Sequence, residues 1–111
     1  MTEVVLILTT VPDAGVGEHV ARVLVDRRLA ACVNVLPPMV SIYRWKGDVQ
    51  RDAECQLVIK TRRSRVPAVR AALREHHPYE LPECVVIPVD DGGPEYLAWV
   101  EAETAEDGHA P

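Results

Sequence analysis

Several features that would place this chain in a class quickly are missing from it. It has only three cysteines, Cys32, Cys55 and Cys84, far apart and without a CxxC pair. That spacing argues against a disulfide framework and a structural zinc site, and it suits reduced thiols in a cytoplasmic protein. An excess of positive charge is missing too: 12 Lys and Arg against 17 Asp and Glu leave a net charge of −5. Such a balance opposes the phosphate attraction that nucleic-acid and anionic-membrane binding depend on. No apolar run reaches membrane length, so no membrane insertion is expected. The first residues carry neither the basic segment nor the small-residue cleavage site of an export signal. GxSxG, Walker A, GxGxxG and HExxH are absent. Without them no nucleophile, base and oxyanion partner can be named, and we expect neither catalysis nor an organic cofactor.

What is present describes one packed domain. Nearly half of the 111 residues are apolar, enough for a core, and the length leaves no room for a second domain. We expect the domain over 1–105 and a flexible tail over 106–111. Residues 4–8 are apolar and β-branched, the mark of a strand buried on both faces. Asp13 is placed to cap a helix whose stripe is Val16, Val20, Val23 and Leu24, although Gly15 and Gly17 weaken its first turn. Residues 31–36 form a second strand, bent or bulged at Pro37-Pro38. It resumes over 39–46, turns at Gly47-Asp48 and returns over about 53–61. Ser64 is expected to cap a second helix with Val66, Val69, Ala72 and Leu73 inward, stopped by His76-His77-Pro78. A strand over 84–89 and a short helix after Gly92-Gly93-Pro94, carrying Tyr96, Leu97, Trp99 and Val100, complete the chain. The order predicts an α+β fold, the ferredoxin-like split βαβ arrangement (βαββαβ), with an extra C-terminal helix and a long hairpin between its second and third strands.

The hairpin arms exceed the usual strand length of about 5–6 residues and outrun what two helices can cover. Tyr43 and Trp45 sit on that overhang, where large aromatics serve interfaces well. They can also cap the domain's own core, but an exposed edge of this kind calls for a partner subunit. His76 and His77, beside Pro78, Tyr79 and Glu80, form the densest polar cluster. Adjacent helical residues diverge by about 100°, so the two imidazoles share an ion only where the helix has unwound, as Pro78 allows; otherwise they complement the helix dipole. Cys32 is either a soft metal ligand or a small buried hydrophobe. Lys60 and Arg62 end a strand with charge that can hold an anion or be solvated.

The motifs Thr10-Val11-Pro12-Asp13, Leu29-Ala30-Ala31-Cys32-Val33-Asn34, Ser41-Ile42-Tyr43-Arg44-Trp45-Lys46-Gly47, Ile59-Lys60-Thr61 and His77-Pro78-Tyr79-Glu80-Leu81-Pro82-Glu83 occur in that order. Together they resemble the CutA divalent-cation tolerance family over almost the whole domain. The resemblance implies a homotrimer in which long hairpins wrap neighbours, an architecture similar to the PII signalling proteins. It implies tolerance of divalent cations, with Cu2+ or another divalent metal at His76, His77 and a cysteine near the end of strand one. Thr9 holds that cysteine position here, leaving Cys32 as the remaining thiol candidate. The alternative is a PII-like sensor or trimeric scaffold, taking a small anion or a protein partner in an inter-subunit cleft holding Lys60, Tyr79, Glu83 and Trp99.

Overall fold

The computed structural model describes residues 2–106; the remainder of the tail expected over 106–111 lies outside the described residues. Strand β1 (Val4–Val11) runs through the middle of a single sheet, hydrogen-bonded on both sides. Its alternate residues Val5, Ile7, Thr9 and Val11 are fully buried on one face. Helix α1 (Ala14–Asp26) starts where Asp13 Oδ1 accepts the Val16 amide at 2.9 Å, the cap expected from the sequence. Gly17 does more than weaken that first turn. A Cβ there would stand 3.1 Å from Val35, 3.2 Å from Leu57 and 3.3 Å from Val11. The missing side chain therefore lets the helix backbone settle directly on the sheet.

Strands β2 (Cys32–Val35), β3 (Met39–Trp45) and β4 (Asp48–Arg62) carry the hairpin. Val35 faces Leu57, and pairing resumes with Met39 facing Glu54. Residues 36–38 thus oppose only two on β4, so the expected bulge forms where Pro37 and Pro38 lack ladder donors. The turn lies one residue earlier than expected. Trp45 pairs with Asp48, leaving Lys46 (φ 50°) and Gly47 (φ 88°) as a two-residue loop. Positive φ at both positions matches the twist of the flanking strands. The return strand likewise begins at Asp48 rather than near Ala53. Its first residues are polar because both faces of the overhang are wet, so the alternation that betrays a half-buried strand is missing. At 15 residues, β4 gives the molecule its long dimension of 49 Å against 26 and 23 Å.

The strand order is β2-β4-β1-β5, every neighbour antiparallel, with β3 continuing along the outer half of β4. Helices α1 and α2 (Val66–His76) cover one face. There Val66, Val69, Ala72 and Leu73 meet Ile7, Leu57 and Ile59 in the core. Ser64 does not cap α2. It sits in a 3-10 turn, Arg63–Arg65, that leads straight into the helix, with Pro67 in the first turn. Helix α3 (Pro94–Glu103) lies over the other face, where Arg62 donates to the Glu101 carbonyl at 2.6 Å and Val100 is fully buried. It covers only one end. Strand β5 (Val85–Pro88), expected to be compact and apolar, leaves Val85 and Ile87 exposed beside half-buried Leu6 and Leu8. No helix among the described residues is long and apolar enough to cross a membrane.

Candidate functional site

The C-terminal end of α2 separates the two histidines. His77 leaves the helix with φ −91° and ψ 133°, the extended geometry that a following proline imposes. Its ring is only 7% exposed, with Nε2 2.6 Å from the Thr10 carbonyl and Nδ1 accepting the Tyr79 amide at 3.2 Å. A carbonyl only accepts, so this network assigns the proton to Nε2 and engages both ring nitrogens. His77 thereby ties the loop after α2 to β1. His76 stays on the helix and points elsewhere. Its ring meets His19 of α1 edge-on, centroids 5.5 Å apart, and its Nε2 lies 3.4 Å from both Arg27 Nη2 and Glu75 Oε1.

Cys32 is not brought to either histidine. It pairs with Lys60, whereas Thr10, the partner of His77, pairs with Gln56 on the other side of β4. Four residues of strand separate the two positions, about 13 Å along the sheet. Thr9 faces the core, fully buried, and its hydroxyl has no hydrogen-bond partner. Among the described residues no three His, Cys, Asp or Glu side chains stand ready as a metal cluster.

A second polar centre lies where one face of the hairpin, from Met39 to Trp45 beside the turn, meets residues 79–85, in a groove of about 750 Å³. Tyr43, Trp45 and Tyr79 line it together with Asp52, Glu54 and Glu83. Tyr79 donates to Glu54 Oε2 at 2.7 Å, and Tyr43 donates to Asp52. Glu54 is 8% exposed. Burial and the Glu54 charge raise the Glu83 carboxyl above its usual range, and burial followed by the Glu54 hydrogen bond raises the Tyr79 phenol. The hydrogen bond to Asp52 raises Tyr43 in the same direction. Within one chain Lys60 and Trp99 both lie against Tyr96 of α3, at 5.7 Å and 5.5 Å. The groove within one chain is acidic, whereas the four-residue cleft is expected between subunits.

His19, Arg27 and Glu54 escaped the sequence reading. His19 had a legible signal, since it follows Val16 by three positions and so borders the apolar stripe of α1 on the side able to meet another helix. Glu54 had none, because its burial depends on the loop after α2 folding over it.

One antiparallel sheet with two helices on one face and a third across the other defines a small mixed α/β protein whose polar residues gather at the end of α2 and along one face of a hairpin. The profile of the CutA1 divalent ion tolerance protein family matches residues 5–103, and the chain belongs to that family. It is 45% identical to the divalent-cation tolerance protein CutA of Thermus thermophilus, covering 94% of this chain and 99% of that one. To the mouse protein CutA it is 46% identical over 86% of this chain. It spans about half the length of that mouse relative, 54%. The crystal structure of CutA from Xylella fastidiosa superposes with a TM-score of 0.90 at 47% identity, covering 93% of this chain and 99% of that one.

Proposed function

We propose that this chain acts as a cytoplasmic homotrimer that binds a divalent cation, copper or another, as a tolerance protein and without catalysis or an organic cofactor. The observation that carries the assembly is the overhanging hairpin. Val40, Ile42 and Val49 are 54%, 70% and 64% exposed on it, and the far face of the sheet, with Val85 and Ile87, is open beside it. Apolar surface of this extent calls for a partner. The strand order supports a ferredoxin-like split βαβ core, and closed symmetry is the common outcome for identical chains. Tyr43 and Trp45 then belong to the subunit interface. Family membership supports the cation reading, and His76 is its best-placed ligand because both nitrogens of His77 are engaged within the fold. Cys32, remote from that helix end, is not a ligand of the same ion in one chain.

Light scattering tests the assembly: a mass of three chains is expected, and a mass of one chain overturns it. Calorimetric titration with Cu2+ tests the cation, in a Cys32→Ser background that removes thiol redox chemistry. The groove beneath Tyr79 favours a second reading, a sensor or scaffold that closes over a ligand or protein partner. Its four acidic lining residues, Asp52, Glu54, Glu80 and Glu83, favour a positively charged occupant, while the small anion belongs to the cleft expected between subunits.

A further inference from the structure

We infer that the outward flank of α2 is an interaction surface for an acidic segment of a partner protein. Residues 62–74 hold five arginines and no acidic residue, in a chain whose net charge is −5. Two of the five are engaged within the fold: Arg62 donates to the Glu101 carbonyl, and Arg65 to those of Thr104 and Ala105, at the end of α3. Arg63, Arg70 and Arg74 are exposed, and among the described residues no hydrogen bond or ion pair engages their side chains. Their positions share one side of the helix. At about 100° per residue Arg70 and Arg74 are about 40° apart, and Arg63 precedes Arg70 by about two turns, across the 3-10 entrance. Glu75 projects toward α1 instead, where it meets Arg27. Glu3 reaches this end of the helix through its carbonyl, which accepts the Arg63 amide at 2.7 Å.

For the chain alone this placement is electrostatically unfavourable. Arg63 stands at the positive end of the helix, and the first turn of α2 has no acidic residue to offset it. Arg70 and Arg74, four positions apart, repel each other. Carboxylates arriving from outside relieve both conflicts, because each can take a guanidinium in a forked pair. From 63 to 74 the helix rises about 17 Å, the reach of about five extended residues, so a short run of Asp and Glu covers all three arginines. A nucleic acid fits less well. No aromatic residue stands on 62–74 to stack a base, and a duplex would spread its phosphates over the acidic remainder of the surface. A membrane fits no better, since the exposed apolar residues between the arginines are Pro67 and Ala71, too small to insert. The flank lies on the helix-covered face of the sheet, opposite the open face proposed for neighbouring subunits, so that assembly leaves it free.

Fluorescence anisotropy of a fluorescein-labelled hexaglutamate peptide, titrated with the full chain at about 50 mM salt, tests the surface. Saturable binding is expected, weakening as salt rises to about 300 mM. Arg70→Gln/Arg74→Gln should weaken it about fivefold or more, the worth of two exposed ion pairs. Arg22→Gln/Arg51→Gln makes the same change of net charge at exposed positions on α1 and β4, and should stay within about twofold of the parent. Unchanged melting curves verify that both variants are folded. Absence of peptide binding overturns the inference. Equal weakening in the two variants does so as well, because the attraction then belongs to overall charge and not to α2. Tighter binding of a duplex oligonucleotide, or of phosphatidylserine vesicles, at matched anionic charge overturns an acidic protein segment as the occupant.

Discussion

At the scale of single residues, position 9 is the least settled part of the core. Thr9 puts a hydroxyl among Val5, Ile7 and Val11 with nothing to bond, and an unsatisfied buried polar group costs about 1–3 kcal/mol. Thr9→Val, nearly the same shape, should raise the unfolding free energy by about 1 kcal/mol in urea titrations at unchanged m-value. A loss of similar size would mean that the hydroxyl has a partner. The two histidines were legible as a cluster, yet their division of labour was not. Pro78 signalled the end of α2, but the carbonyl that captures His77 belongs to Thr10, far away in the chain. What meets His76 comes from α1. The first contact leaves no local trace in the sequence, and the second leaves only the place of His19 beside the apolar stripe of α1.

At the scale of elements, apolar periodicity located β1, both core helices and the bulged second strand, because each has one face committed to the core. It failed where that commitment ended. The first third of β4 is wet on both faces, and the entrance to α2 is a 3-10 turn whose serine bonds nothing as a cap. Gly17 also resists a propensity argument. Alanine is the better helix former by about 1 kcal/mol, but its methyl would press on Val35, Leu57 and Val11. Gly17→Ala should therefore destabilise the protein by about 1–3 kcal/mol, the usual cost of overpacking. Thermal melting decides the sign, and a raised Tm would show that α1 can lift off the sheet without penalty.

For the whole molecule, the apolar residues left outside form a continuous argument for association. Ile42→Glu should leave the single chain nearly as stable as before, since Ile42 touches little within it. The same change places a charge in the proposed interface, where an unpaired buried charge costs several kcal/mol. Sedimentation should report lighter species for Ile42→Glu at micromolar concentration, with helix content by circular dichroism intact. An unaltered assembly would remove the hairpin from the interface.

The central position of β1 also bears on how the chain is made. Val4 finds its partner in Arg62, and Val5 finds another in Pro88, so β1 is synthesised well before either strand that pairs with it. Nucleation must span these long sequence separations, which slows folding relative to a chain of local contacts. In the interval the nascent β1, apolar and unpaired on both edges, is the segment most exposed to capture by other growing chains.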